Sequence, residues 1–219
     1  MDALDRIKEN TERLLKEIPA EVTLLAAAKT RTPEEVRAAW EAGIRCFGHN
    51  YVQEAQVMLP QIDFRAEWHM IGHLQRNKAD LAVSLFDLME TVDSPRLARA
   101  LEKYCAQQEK VLPVFIEVNS GREENKDGAL PEAVDELAAV IGALPHLKLQ
   151  GLMTMGPLTG DEELSRPYFK TTCEIFERIK KENSEVRWLS MGMSHSYLTA
   201  IEEGANLVRI GTALFGPRK

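Results

Sequence analysis

The chain of 219 residues repeats one unit eight times: a short apolar or β-branched segment, a loop, and then a helical pattern. The repeat length averages about 27 residues. Strands that alternate with helices pair in parallel through right-handed crossovers. Eight such units close most simply into a barrel, whereas the competing open doubly wound sheet usually has fewer strands. We therefore predict an α/β fold, a single (β/α)8 TIM barrel with an extra N-terminal helix.

The helix before the barrel is indicated by Leu4, Ile7, Leu14 and Leu15 at helical spacing, and Pro19 ends it. The sequence shows no low-complexity stretch and no linker rich in Gly, Pro or Ser, so we predict one domain over residues 1–219. The predicted strands are 22–28, 44–47, 68–71, 85–92, 111–118, 147–153, 187–191 and 207–210.

Charge and cysteine content exclude several classes of function. The formal net charge is −7 and no basic block is present, which argues against non-specific nucleic-acid binding and against anionic membranes. No apolar run approaches the roughly 20 residues that span a bilayer. Three widely spaced cysteines form no disulfide framework, so we expect a protein of the reducing cytoplasm.

Lys29 is the residue that most strongly indicates chemistry, because the active sites of such barrels lie at the C-terminal ends of the strands. It follows the apolar run 24–28 and shares a face with Leu25 and Ala27 by strand alternation. If that face points into the barrel, desolvation lowers the pKa of the ammonium group, and a neutral amine can form a Schiff base with an aldehyde. The alternative is a lysine that extends from the strand end into solvent.

Two glycine turns follow the last two strands, where these barrels often bind a phosphate. They are Gly192-Met193-Ser194 and Gly211-Thr212. Glycine permits close backbone approach, and the hydroxyls and free amides can donate to an anion. Each turn alone is equally compatible with an ordinary helix cap.

Arg209 lies within an apolar strand and therefore needs a partner. That partner is either the carboxylate of a neighbouring strand, such as Glu117, or an acceptor on a ligand. We expect no metal: His49, His69 and His73 show neither HExxH nor zinc-ligand spacing. The GxxxxGK[ST], GxGxxG and GxSxG motifs are also absent.

Taken together, the residues at the strand ends resemble those of the pyridoxal-phosphate homeostasis family, which is similar to the barrel domain of alanine racemase. The resemblance covers nearly the whole chain. It is carried by 28–30, 47–50 with Gln53 and Glu54, 68–78, 118–119 with Lys126 and Gly128, 151–155, 191–194, and 208–212 with Phe215 and Gly216.

The resemblance implies pyridoxal 5′-phosphate (PLP) as the cofactor, with Lys29 as its Schiff-base lysine. It implies that Met193 and Ser194 of one turn, and Gly211 and Thr212 of the other, bind the cofactor and its phosphate. Arg209 would face the pyridine nitrogen, and Asn50 would lie near the ring. The chain departs from the family at His49, where Glu is usual, and at Ser196, where Asp is usual.

Two functions are compatible with this pattern. The first is a protein of intracellular PLP homeostasis that holds the cofactor as a Schiff base without substantial catalysis, acts as a monomer, and passes PLP to apo enzymes. The second is a PLP-dependent amino-acid racemase. Such racemases carry a further C-terminal β-rich domain that provides a second catalytic base, whereas this sequence stops at Lys219, so we expect the first function.

Overall fold

The computed structural model describes residues 2–157 and 162–217. Eight parallel strands form a closed barrel in chain order, and the eighth strand pairs with the first, so that Leu25 lies opposite Arg209. This ladder leaves no sheet edge, which confirms the predicted barrel and excludes the open sheet. The ends of the predicted domain, Met1 and Lys219, lie outside the described residues.

The strands and α-helices alternate after an initial helix. In chain order they are α1 (Ala3–Glu17), β1 (Thr23–Ala27), α2 (Pro33–Glu41), β2 (Cys46–His49), α3 (Val52–Met58), β3 (Glu67–Met70), α4 (Ala79–Leu85), β4 (Leu88–Val92), α5 (Pro95–Gln107), β5 (Leu112–Val118), α6 (Val134–Gly142), β6 (Leu147–Thr154), α7 (Arg166–Glu182), β7 (Trp188–Ser190), α8 (Tyr197–Glu202), β8 (Leu207–Ile210) and α9 (Thr212–Phe215).

The largest difference from the predicted boundaries concerns the start of β4. The apolar run from residue 85 was assigned to a strand, but Leu85 ends α4 and the amide of Phe86 still donates to the carbonyl of Ala82 at 3.1 Å. A short apolar run has no period that separates a buried helix end from a strand. The strand therefore begins only at Leu88.

The apolar residues form two layers that follow from strand alternation. The outer layer fills the space between strands and helices and contains Phe47, Trp68 and Ile210. The inner layer fills the barrel itself. Its buried members are Leu25, Ala27, Cys46, Ile71, Leu88, Phe115, Met153 and Leu207.

The predicted extra N-terminal helix is present as α1, which packs against α2 and α9. Asp2 and Asp5 form a reciprocal capping box at its start. Ile7 and Leu14 are fully buried, and each such side chain contributes about 1.5–3 kcal/mol of burial free energy. Asn10 Nδ2 donates to the carbonyl of Leu214 at 3.1 Å, which ties α1 to the segment after β8.

The helices of the described residues are short or strongly charged. The longest, α7, has 17 residues and contains five lysines or arginines besides its glutamates. Across residues 2–157 and 162–217, no helix is long and apolar enough to cross a membrane.

Candidate functional site

The end of β1 carries Lys29 at the mouth of the barrel. Leu25 and Ala27 belong to the inner layer, and by strand alternation Lys29, in the turn two residues after Ala27, follows on the same side. The amide of Ala28 donates to the carbonyl of Gly48 at 2.8 Å and extends the pairing with β2 beyond the strand end. Lys29 is half-buried. Lys29 thus lies at the C-terminal end of the barrel, where the inner layer ends.

The turn after Lys29 is conformationally strained. Thr30 has φ +62°, a left-handed conformation that costs a β-branched residue about 1–3 kcal/mol. The amide of Thr30 donates to Glu54 Oε2 at 3.3 Å, and the amide of Arg31 donates to the carbonyl of Ala28 at 3.1 Å. These contacts hold the backbone on which Lys29 is mounted.

The two predicted glycine turns meet at the ends of β7 and β8. Ser194 Oγ accepts hydrogen bonds from the amides of Gly211 and Ala213, both at 3.2 Å. Two backbone donors therefore converge on one oxygen from the neighbouring turn. Thr212 is exposed beside them and Met193 is half-buried. The arrangement shows that this corner of the mouth accommodates an acceptor oxygen, as a bound phosphate would require.

The first of these turns needs its glycine. Gly192 has φ +91°, and a Cβ there would lie 2.6 Å from Ala200 Cβ and 2.9 Å from Tyr197 Cα. Ser196 stands at the N-cap position of the following helix, α8. Its Oγ accepts from the amide of Met193 at 3.2 Å and makes no cap hydrogen bond to α8. Ser196 therefore bonds back to the turn that precedes it rather than to the first turn of α8.

Arg209 is buried in the barrel interior, and its described hydrogen bonds are not to Glu117, which was one of the two alternatives that the sequence left open. Its Nη1 donates to Ser190 Oγ at 2.6 Å, and its Nη2 donates to the carbonyl of Thr154 at 2.8 Å. Among the described carboxylates, Glu90 lies within 4.0 Å of it, at 3.9 Å. Burial lowers the pKa of Arg209, but a guanidinium stays charged in proteins.

Glu90 and Ser190 are site residues that sequence analysis missed. Ser190 Oγ donates to Glu90 Oε2 at 2.5 Å, and Glu90 Oε1 lies 2.6 Å from His69 Nδ1. Burial alone would lower the pKa of His69, but Cys46, Glu67 and Glu90 together raise it well above its ordinary value. Alternation along β4 could have found Glu90, since it shares the inward face of Leu88 within an apolar strand.

Asn50 and His49 end β2 and have different environments. His49 packs on the outside of the barrel, where its ring stacks on Trp68 at 5.7 Å, and burial lowers its pKa to about 4. It is therefore neutral and does not take the place of a carboxylate at the mouth. Asn50 Oδ1 is buried and accepts no hydrogen bond from the part of the chain that the structure describes. Such an orphaned acceptor is unfavourable unless a ligand or water donates to it.

The opposite side of the mouth, after β3 to β5, is acidic. His73 Nδ1 lies 3.0 Å from Asp127 Oδ1 and 3.8 Å from Asp93 Oδ2. Burial, followed by repulsion from Asp127 and Asp93, raises the pKa of nearby Glu117 to about 7. The ligand atoms of His73, Asp93 and Asp127 lie within 4.8 Å of one another, as do those of Cys46, Glu67 and His69, so either set has the spacing to hold a metal ion.

The barrel has the fold of a known class of domain. A sequence model of the family described as "Alanine racemase, N-terminal domain" matches residues 3–219. The closed parallel barrel with a lysine at the end of its first strand agrees with that match.

Comparison with individual proteins identifies the family within this class of domain. The chain is 39% identical over 227 residues to a protein of Aquifex aeolicus (strain VF5) named "Pyridoxal phosphate homeostasis protein", covering 100% of both chains. It is similar to PipY of Synechococcus elongatus PCC7942 without PLP, with a TM-score of 0.90, 32% identity and coverage of 96% and 100%. The PLP-bound PipY structure gives a TM-score of 0.85, 30% identity and the same coverage. The chain therefore belongs to the pyridoxal phosphate homeostasis protein family.

Proposed function

We propose that this protein binds PLP at the mouth of the barrel, on Lys29, and serves intracellular PLP homeostasis without substantial catalysis. The observation that carries the proposal is that Lys29 follows β1 next to β8, after which the amides of Gly211 and Ala213 converge on one oxygen, Ser194 Oγ. The name of the Aquifex relative and the PLP-bound PipY structure support the choice of cofactor.

The donor set fits the phosphate of this cofactor. The backbone amides of Gly211 and Ala213 share one acceptor, Ser194 Oγ, and a phosphate oxygen at that position would receive the same two hydrogen bonds. Ser194 Oγ accepts from both amides and keeps its own proton to donate to the phosphate, and the exposed Thr212 hydroxyl can also donate. Met193 shapes the turn that places Ser194.

Two further residues fit the ring. The orphaned Asn50 Oδ1 can accept a hydrogen bond from a ligand hydroxyl. We assign Arg209 to the pyridine nitrogen of the cofactor, as the family resemblance implies. The permanent charge of the guanidinium would then disfavour protonation of that nitrogen. When bound, PLP supplies a reactive aldehyde and an electron-withdrawing ring, and an unprotonated ring nitrogen weakens that withdrawal. The guanidinium therefore favours holding the cofactor over carbanion chemistry.

Racemisation needs a base on each face of the cofactor, and the described tyrosines do not supply the second. Tyr197 donates its hydroxyl to Glu17 Oε1 at 2.7 Å, on α1, and Tyr51 is 59% exposed beyond β2. Tyr168 lies under the Lys126 ammonium, and Tyr104 lies on α5. This supports a carrier over the racemase alternative.

The setting of the protein follows from the same features. We place it in the reducing cytoplasm, because Cys46, Cys105 and Cys173 are all free thiols. We take residues 1–219 as one binding domain that acts as a monomer and hands PLP to apo PLP-dependent enzymes. Transfer can be followed as activation of an apo enzyme mixed with the loaded protein, with free PLP at equal concentration as the control.

Lys29→Ala is the decisive test of the cofactor site. The purified wild-type protein should be yellow, and borohydride reduction followed by peptide mapping should place PLP on Lys29. The variant should lose the covalent adduct and keep weak binding through the phosphate corner. Lys126→Ala, a lysine on the acidic side of the mouth that contacts Glu123 and the carbonyl of Gly156, should keep the adduct. An adduct on another lysine in the wild-type protein would contradict the assignment.

The carrier role is tested by incubating the loaded protein with L-alanine in deuterated water. We expect no significant inversion by chiral chromatography, and at most slow deuterium incorporation by proton NMR, because Lys29 serves one face. Racemisation at about 1 s⁻¹ or faster would establish the enzyme alternative.

A further inference from the structure

A continuous chain of buried polar side chains crosses the barrel interior beneath the mouth. It begins at Arg209, passes through Ser190 at 2.6 Å and Glu90 at 2.5 Å, and reaches His69 at 2.6 Å. His69 Nε2 lies 3.2 Å from Glu67 Oε1, at the N-terminal end of the barrel. Glu90 and Ser190 have no solvent exposure, so these groups are partners to one another rather than to bulk water.

The direction of the hydrogen bonds in this chain is fixed by donor count. Arg209 has donors and no acceptor, so Ser190 Oγ must accept from it. The single Ser190 proton is then given to Glu90, which the structure also shows. Glu90 accepts from Ser190 on one oxygen and contacts His69 on the other, which suits an ionised carboxylate. Its negative charge lies between the guanidinium and the imidazole.

These contacts fix the guanidinium of Arg209 from within the barrel interior. Both Nη atoms of Arg209 donate to groups of the barrel, Ser190 Oγ and the Thr154 carbonyl. Two hydrogen bonds fix the plane of a guanidinium as well as its position. A buried ion pair contributes little to stability over an apolar substitute, so its retention here fits a role in fixing geometry and charge.

We propose that Glu90 and His69 are positioning residues for Arg209: they fix the guanidinium through Ser190, and the charge of Glu90 sets the electrostatic potential at the pyridine nitrogen of bound PLP. This inference rests on the proposed function. The other titratable groups that face the chain are Cys46 on β2, Glu67 on β3 and Glu117 on β5. These three groups are unchanged in all of the variants below, so differences among the variants report on the polar chain from Arg209 to His69.

The test compares Glu90→Gln with Glu102→Gln. Glu102 forms the matched control, because its Oε1 also lies close to a histidine, His146 Nδ1 at 2.8 Å, but outside the barrel. The readouts are the affinity for PLP, the pH midpoint of the absorbance change of bound PLP, and the ¹⁵N NMR signal of the ring nitrogen in labelled PLP.

Glu90→Gln removes a negative charge beneath the ring, so the midpoint should fall by about one pH unit, and the ring nitrogen should stay unprotonated to lower pH. Glu90→Asp should restore the midpoint. Ser190→Ala keeps the charge but removes the link, so it should leave the midpoint near that of wild type and weaken PLP binding about tenfold. Glu102→Gln should match wild type in all readouts. A Glu90→Gln protein that binds PLP with an unchanged midpoint would overturn the inference.

Positioning can also be measured without the cofactor. Rotation of the Arg209 guanidinium, followed by ¹⁵N NMR of the ligand-free protein and assigned with Arg209→Lys, should be slow in wild type and in Glu102→Gln and fast in Ser190→Ala. Equally slow rotation in Ser190→Ala refutes the positioning role, and it does so even if Glu90→Gln fails to fold. Failure of the wild-type protein to bind PLP would instead refute the proposed function and leave this measurement valid.

Discussion

The two sides of the barrel mouth have opposite chemistry. The side formed by β7, β8 and β1 carries Lys29, small residues, and two amides that converge on Ser194 Oγ. The side formed by β3, β4 and β5 carries His73, Asp93, Glu117 and Asp127. Donors and a lysine attract an anion to the first side, whereas carboxylates repel it from the second. The same symmetric scaffold thus offers a phosphate one preferred orientation.

The fold supplies a ring of eight strand ends, and the residue types at those ends determine which side of the mouth can bind an anion. A phosphate at the β7–β8 corner leaves the rest of the ligand pointing toward the centre of the mouth, where Lys29 and Arg209 are mounted on adjacent strands. The acidic side remains open to cationic groups, such as the ammonium of an amino acid.

The largest expected effect comes from Ser194→Asp, which places a carboxylate at the turns after β7 and β8 and removes the difference in charge between the two sides of the mouth. A carboxylate would occupy the amides of Gly211 and Ala213 and repel the phosphate, so PLP affinity should fall at least 100-fold, about 2.7 kcal/mol. Pyridoxal, which lacks the phosphate, should change less than about threefold. Isothermal titration with both aldehydes measures this. Ser184→Asp, at an exposed position after α7, is the control. Equal losses for both aldehydes would place the phosphate elsewhere.

The acidic side is tested by the pH dependence of stability in Glu117→Gln. The folded-state pKa of Glu117 is raised to about 7 from an ordinary 4.5, so the fold favours the neutral acid. Its contribution is fully present below pH 4.5 and is lost as the pH rises through 7. Glutamine mimics the neutral acid. Between pH 5 and pH 8, the variant should therefore gain about 1–3 kcal/mol of unfolding free energy relative to wild type.

Urea unfolding at several pH values measures this gain, with Glu124→Gln, an exposed residue of the loop after β5, as the control. A constant difference between Glu117→Gln and wild type across this range would show that Glu117 is ionised at pH 5 in the folded protein.

The smallest expected effect is that of removing one carboxylate, Asp127, from the acidic side of the mouth. Asp127→Asn removes one of the charges that raise the pKa of Glu117, so the loss of stability with pH should move to lower pH by about half a unit. It should also strengthen PLP binding less than about threefold, and this gain should vanish at high salt. Asp135→Asn, which breaks an exterior pair with Arg178, should do neither. A shift of equal size in both variants would remove Asp127 from the mouth electrostatics.

Sequence patterns predicted the barrel because every unit repeats the same physical signal. Alternation grouped Leu25 and Ala27 with Lys29 on one face, and both Leu25 and Ala27 lie in the inner layer. The glycine turns were also recognised, since few residues other than glycine adopt the φ of +91° found at Gly192. These are local properties of the chain, so local sequence is sufficient to predict them.

Partners across the barrel were not predictable in the same way. Glu117 was one of two open alternatives for the partner of Arg209, yet Ser190 accepts its hydrogen bond and Glu90 lies 3.9 Å away. Glu90 and Ser190 are separated by 100 residues. Which inward residues meet depends on the stagger of all eight strands, and that quantity is set by closure of the whole sheet.

The sequence by itself determined the repeating strand and helix units, the lysine after the first strand and the two glycine turns, because period and residue type act over a few neighbouring residues. Tertiary structure alone decided that the amides after β8 converge on Ser194, that the mouth has an acidic side, and that a polar chain from Arg209 to His69 crosses the interior. Those contacts join residues distant along the chain, and only closure of the barrel fixes their distances.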